Sequence, residues 1–212
     1  MVSESHVNEY DSLMVKTTNT RRTRDPEAKL RAIIQAGEKL FAGKGFEHTK
    51  MSAIAAEAGV AVGTLYRLFP DKPSLLAALH RKMEEQFIAA MHRGWARGEA
   101  YSQRFDYLVE CLLDELISVR KTMPLYMMTK NVVGASDHQP GERIMQEIAA
   151  LYALAVDAGA ARAFPDGYQA AIGHALIEGT FRAWVMDPTK ARRVVVQKET
   201  QELLKRAFQI SD

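Results

Sequence analysis

The sequence predicts an all-α protein, and three observations carry that expectation. Apolar residues recur at intervals of three and four along most of the chain, the spacing that lines one side of a helix. No segment shows the strict apolar/polar alternation of a half-buried strand. Proline and glycine stand mainly at the edges of the periodic runs, where helices begin and end. About nine helices are expected: three in an N-terminal head over residues 21–72 and six in a body over residues 73–212, behind a disordered tail at 1–20.

The first helix opens at Asp25-Pro26, a cap followed by a proline in the first turn, where a missing N–H removes no helical bond. Leu30, Ile33, Ile34, Gly37, Leu40 and Phe41 give it an apolar stripe. The most informative stretch follows, TKMSAIAAEAGVAVGTLYRLFPDKPSLL at 49–76. Thr49 is expected to cap a short helix whose buried face is Met51, Ile54, Ala55 and Ala58. Gly59 ends that helix in left-handed backbone, and Val60 plugs the turn beneath it. Val62, Gly63 and Thr64 open a second short helix, anchored by Leu65 and Phe69. Gly63 keeps the leading edge of this helix thin. Asp71 caps the next helix, with Pro73 in its first turn.

From Asp71 a long helix runs to about Gly94, with Leu75, Leu76, Leu79, Met83 and Phe87 inward. Phe105, Leu108, Val109, Leu112, Leu116 and Val119 mark another, which ends before Pro124. A short helix around Tyr126–Val132 gives way to GASDHQPG, a loop signal. Ile144, Ile148, Leu151, Tyr152 and Ala155 mark the next. Two more, roughly 168–186 and 191–208, are divided by Asp187-Pro188.

The two short helices joined by the Ala58-Gly59-Val60 turn form a helix-turn-helix. That arrangement places its second helix in the major groove of DNA. Thr64, Tyr66 and Arg67 present hydroxyls and a guanidinium from that helix. Arg21, Arg22, Arg24, Lys29, Arg31, Lys39, Lys44, Lys50, Arg67 and Lys72 crowd the N-terminal third, although the whole chain carries only +2. A local positive face is what phosphate binding requires. Arg21, Arg22 and Arg24 belong either to a solubilising tail or to an arm that touches DNA.

Composition agrees with a soluble domain. The chain has 212 residues, of which 47% are hydrophobic and 25% charged, enough for a substantial core. No apolar run reaches transmembrane length, and residues 1–20 lack the apolar stretch of a secretory signal, so a cytoplasmic protein is expected. The single Cys111 excludes an intramolecular disulfide and is expected to be a packed core side chain.

The run from Arg31 to Leu76, about a quarter of the chain, resembles the DNA-binding domain of the TetR (tetracycline-repressor) family of bacterial transcriptional regulators. The matching pieces are Ala36, LeuPhe at 40–41, GlyPhe at 45–46, Thr49, IleAla at 54–55, AlaGlyVal at 58–60, GlyThrLeuTyr at 63–66, Phe69, Lys72 and LeuLeu at 75–76. The resemblance implies that Thr49 and Lys50 begin the first helix of the motif, on phosphate and base. It places Val62, Gly63 and Thr64 at the tip of the recognition helix, with Tyr66 and Lys72 on the phosphate backbone; Arg67 joins this set of DNA contacts. Two positions depart from the pattern. Leu68 stands where a Tyr or His is usual, and Ala61 replaces a Ser-type cap.

The resemblance further implies a homodimer on a palindromic operator in double-stranded DNA. A small-molecule effector would enter the body, shift the helix that begins at Asp71 and release the DNA. The helices at about 168–208 fit the dimer contact. Gly173, Ala175, Gly179, Thr180 and Ala183 keep one side small beside Ile172, Leu176, Phe181, Trp184 and Val185. Met123, Tyr126, Met127 and Met128 are candidates for an adaptable pocket wall. Tyr152, His174, Glu178 and Phe181 are further candidate ligand contacts, although a place in the core is the favoured reading of each. No cofactor or metal is expected, because the six histidines form no tight sequence cluster and no HExxH, GxSxG or Walker-type run occurs. The alternative to a regulator is a small-molecule-binding protein of the same fold that has lost sequence-specific DNA binding. Salt-sensitive, sequence-selective DNA binding separates the two, and turnover of a substrate would favour an enzyme.

Overall fold

Local chemistry at the helix ends sets the order of elements. The computed structural model describes residues 25–133, 141–164, 168, 171–173, 175, 178–179 and 190–211. Helix α1 (Pro26–Lys44) starts where Asp25 accepts from the Glu27 amide at 3.0 Å with proline in the first turn. Helices α2 (Met51–Glu57) and α3 (Val62–Leu68) follow, parted at Gly59 by a φ of +66°. That left-handed conformation is open to glycine without the Cβ clash of other residues. Helix α4 (Lys72–Arg97) begins with a reciprocal cap: Asp71 accepts from the Ser74 amide at 2.7 Å, and the Ser74 hydroxyl is paired with the Asp71 amide at 3.3 Å. Two orphan donors are thereby satisfied at once.

The body continues with α5 (Tyr101–Val119), α6 (Met123–Val133), α7 (Glu142–Asp157) and a last helix, α8 (Lys190–Phe208). Further helical residues are described at 168, 171–173, 175 and 178–179, between α7 and α8, and no strand occurs among the described residues. Helix α6 starts three residues earlier than its periodicity indicates. Pro124 is its second residue, a position where proline removes no intrahelical bond.

Two apolar cores stack along α4. The first joins Ile33, Ala36, Leu40 and Phe41 of α1 to Met51, Ile54 and Ala55 of α2, Leu65 of α3, and Leu75, Leu76 and Leu79 of α4. Leu125 and Tyr126 of α6 complete it, so this core draws on residues well beyond position 72. Leu30, expected on the buried stripe, is 40% exposed because the buried part of α1 begins one turn later, at Ile33. The second core gathers α5 around Leu108, Leu112 and Leu116 with Phe87 and Met91 of α4, Leu151 and Tyr152 of α7, and Leu204 and Phe208 of α8. Cys111 is buried within it. Met83 packs against both cores.

Helices α4 and α5 approach unusually closely at Gly94. A Cβ there would lie 2.4 Å from the Tyr107 carbonyl oxygen and 2.5 Å from Leu108 Cα. Ion pairs fix the register of α4: Arg93–Glu115 and Arg97–Glu110 to α5, and Glu85–Arg143 and His92–Glu147 to α7. Arg193–Asp114 at 2.6 Å and Lys205–Asp106 at 2.7 Å tie α8 to α5. Exposed pairs of this kind contribute about 0–1 kcal/mol each, so packing, not charge, holds the bundle.

Candidate nucleic-acid interface

Helix α3 is held by two side chains. Leu65 is fully buried and Phe69 nearly so, one helical turn apart, and they orient the short helix with its other side outward. Val62 (43% exposed), Tyr66 (49%) and Leu68 (39%) lie on the open surface with Gly63 and Arg67, and Thr64 is half-buried beside them. A Cβ built on Gly63 meets nothing within 4 Å. No packing reason for glycine therefore exists within the described residues. Ala61 provides no side-chain cap, in keeping with its chemistry.

Helix α2 buries Met51, Ile54 and Ala55, and it is fastened to α1 by the Lys39–Glu57 pair at 2.5 Å. Lys50 occupies its N-cap position, exposed and without a side-chain capping bond. Among the described residues, Lys29, Lys44, Lys50 and Arg67 make no ion pair, whereas Arg31 pairs with Asp25 and Glu27. Positive charge is thus left uncompensated at Lys50 before α2, at Arg67 in the last turn of α3, and at both ends of α1. Arg21, Arg22 and Arg24 lie outside the described residues.

Two expected contacts are placed differently. Thr49 is not a helix cap: it is 2% exposed, and its hydroxyl donates to the carbonyls of Gly45 (2.8 Å) and Leu40 (3.3 Å). The side chain closes the end of α1. Lys72 is half-buried, and its ammonium donates to the carbonyls of Phe46 (3.0 Å) and Glu47 (3.1 Å), 4.7 Å from the centroid of the Phe46 ring.

The candidate effector residues do not form one wall. Met123 faces the body core, where Tyr152 also lies, its hydroxyl donating to the Arg162 carbonyl. Tyr126 packs in the head core, while Met127 is 39% and Met128 82% exposed. The cause is helical geometry: at about 100° per residue, Met128 stands roughly 140° around the axis from Met123. Glu178 is half-buried, and His174 and Phe181 lie outside the described residues.

A polar junction joins head to body that local periodicity does not reveal. Glu38 of α1 accepts from Lys82 Nζ of α4 at 2.8 Å and from Tyr126 Oη of α6 at 3.2 Å. Burial, and then the neighbouring Glu38 charge, push the Tyr126 phenol well above its ordinary value. Beside it the His80 ring meets Tyr126 edge-on at 5.1 Å, and His80 Nε2 lies 3.0 Å from Thr129 Oγ1. The Thr129 hydroxyl donates to the Leu125 carbonyl at 2.7 Å, which leaves its lone pair to accept from His80.

A short helix pair with one exposed, thin-edged helix, set on an all-helical body, defines a helix-turn-helix protein. Residues 33–79 match the sequence profile described as bacterial regulatory proteins, tetR family. Over these residues the head is similar to that family. It is 31% identical over 111 residues to the HTH-type transcriptional repressor KstR of Mycolicibacterium smegmatis, covering 50% of this chain and 54% of that protein. It is 38% identical over 63 residues to the fatty acid metabolism regulator protein of Bacillus subtilis, covering 30% and 32%. The chain thus spans about half or less of the length of these curated relatives.

The fold extends further than the sequence match. A tetR-family bacterial regulatory protein from Rhodococcus RHA1 superposes with a TM-score of 0.65 at 18% identity, covering 88% of this chain and 99% of that one. The transcriptional regulator FadR of Bacillus subtilis, in complex with stearoyl-CoA, gives 0.63 at 20% identity, covering 82% and 97%. At these identities the likeness concerns the fold.

Proposed function

We propose that this chain is a transcriptional regulator that binds a palindromic operator as a homodimer, a repressor released by a small molecule held in its body. The observation that carries the reading is the outward face of α3, where Val62, Gly63, Tyr66 and Arg67 stand free on a helix anchored by Leu65 and Phe69. The side chains assigned to DNA are Lys50, Val62, Thr64, Tyr66 and Arg67, with the Gly63 backbone between them. Tyr66 and Lys50 position the head on phosphate, and Val62, Gly63 and Thr64 meet base edges. One seven-residue helix makes few contacts, and two heads related by a two-fold axis read major-groove faces about 34–36 Å apart.

Exposed apolar residues on the last helices support the dimer. Val194 is 68%, Val195 59% and Leu203 48% exposed on α8, and Tyr168 and Ile172, earlier in the chain, are exposed as well. Residues 168–208 are therefore the proposed contact between copies. The effector is assigned to the interior of the body, near Met123 and Tyr152. No helix among the described residues is long and apolar enough to cross a membrane.

Leu68 supports a second reading, a sensor of the same fold that no longer reads DNA. It exposes an aliphatic side chain, without hydrogen-bonding capacity, beside Tyr66 and Arg67. Selection of bound sequences from a random duplex pool at several salt concentrations decides between the two. Enrichment of a palindrome, with affinity falling steeply as salt rises, is the expected result. Absence of enrichment at every salt, with and without candidate effectors, would overturn the regulator. Stearoyl-CoA, held by the Bacillus subtilis FadR, is a first compound for the effector arm.

A further inference from the structure

We propose that the turn at residues 209–211 is a clasp: it locks the end of α8 to the end of α7 and so sets the face that α8 offers to a second copy. The role in pairing rests on the homodimer proposed above; the clasp itself does not. Both helices end in the same kind of turn, with a left-handed residue one step past the cap. In α7 that residue is Gly159, at a φ of +73°, and the Ala160 amide donates back to the Ala155 carbonyl at 2.8 Å. In α8 it is Gln209, at +49°, and the Ile210 amide donates back to the Lys205 carbonyl at 3.0 Å. Among the described residues other than glycine, Gln209 alone takes a positive φ. That conformation is unfavourable for a residue with a Cβ and persists where its surroundings hold it.

Two cross-links between the helix ends do the holding. The Arg162 amide donates to the Phe208 carbonyl at 3.1 Å, and the Ser211 amide donates to the Ala160 carbonyl at 2.9 Å. The Phe208 carbonyl is one of the acceptors that a helix end leaves without an intrahelical partner. Underneath, the Tyr152 ring packs on Phe208 at 4.8 Å, and the Tyr152 hydroxyl donates to the Arg162 carbonyl. Phe164 meets the same Phe208 ring edge-on at 6.2 Å, and Ile210 packs against the body core. Electrostatics work against the contact, because both C-terminal ends carry partial negative charge and α7 has no basic residue in its last turn. Like ends side by side repel, so the cross-links are what keeps them together. Val194, Val195 and Leu203 stand exposed on the helix held in this way. Releasing its end frees α8 to turn or slide against α7, and the apolar face moves with it.

The test compares the full chain with one ended at Phe208, which removes the turn and leaves both helices. Amide hydrogen exchange at residues 160–164 should quicken about tenfold or more once the turn is gone. The dimer dissociation constant, from sedimentation equilibrium without DNA, should rise by roughly tenfold or more. Unchanged exchange overturns the clasp, and faster exchange with an unchanged dissociation constant overturns its role in pairing. Two substitutions in the full chain repeat the test without shortening it. Gln209→Val places a branched Cβ where φ is positive, and it should act like the shortened chain. Gln209→Gly accepts that conformation freely, and it should keep the slow exchange and the dimer of wild type. A Gln209→Val protein indistinguishable from wild type would overturn the inference even if the shortened chain fails to fold. Should the full chain sediment only as a monomer, the homodimer falls, while the exchange measurement still judges the clasp.

Discussion

Gly63→Ala separates what is good for the fold from what is good for the operator. Gly63 is the second residue of α3, its φ lies outside the left-handed region, and a Cβ there meets nothing within 4 Å. Alanine is therefore unstrained, and it is preferred over glycine in helices by about 0.5–1 kcal/mol. In a first turn the lower figure applies, roughly 0.5 kcal/mol, which at about 2–4 °C per kcal/mol for a chain of this size raises Tm by ~1–2 °C. The operator reverses the sign. If the backbone at 63 is packed against base or phosphate, the added methyl overpacks that contact by about 1–3 kcal/mol. Two heads double the cost to about 2–6 kcal/mol, a loss of at least roughly thirtyfold. Thermal unfolding without DNA and fluorescence anisotropy on the selected operator measure the two halves. A more stable protein with unchanged affinity would refute the placement of Gly63 against DNA. A less stable protein would refute the claim that the position is open.

Other perturbations give distinct signatures. Tyr66→Phe should leave unfolding stability within about 0.5 kcal/mol of wild type, because the residue is 49% exposed, yet weaken binding to all duplexes alike in anisotropy titrations; equal affinity would remove its phosphate role. Gly94→Ala should lower Tm by several degrees: helix propensity gains about 1 kcal/mol, but a Cβ at 2.4 Å from a backbone carbonyl forces α5 away at about 1–3 kcal/mol or more, and a raised Tm would contradict that packing. Burial and the Glu38 charge raise the Tyr126 phenol above its ordinary 10.0, so its neutral form stabilises the fold fully below about pH 10, and that contribution is lost as pH rises further. Denaturant midpoints across pH 9–11 should therefore fall less steeply for Tyr126→Phe than for wild type.

What the sequence made legible was local. Asp25-Pro26, Gly59 and the Asp71 cap each act within four residues, and each stands where its chemistry indicated. The inward faces of α2, α3 and α5 were equally readable, since helical periodicity reports which side is buried. Periodicity does not report what a polar side chain meets. Thr49 has the right identity for a cap, and it closes α1 from nine residues away. Lys72 finds its carbonyls 25 and 26 residues back, and Tyr126 finds Glu38 across 88 residues. Methionines close together on α6 suggested one wall, but a helix turns consecutive residues apart, and the neighbouring helices decided which of them was covered.

The completion of the head core by Leu125 and Tyr126 limits how such proteins can be recombined. A crossover near residue 72, the natural seam by sequence, would transplant a head stripped of Leu75, Leu76, Ala77 and Leu79 of α4, of Leu125 and Tyr126 of α6, and of the hydroxyl that meets Glu38. A working chimaera would have to carry the start of α4 and the first turn of α6 along with the head, or inherit host helices that fill the same volume. Compatibility between a borrowed head and a foreign sensor is then a matter of three-dimensional fit at α6, and the α6 sequence is where a compensating change should accumulate after such an exchange.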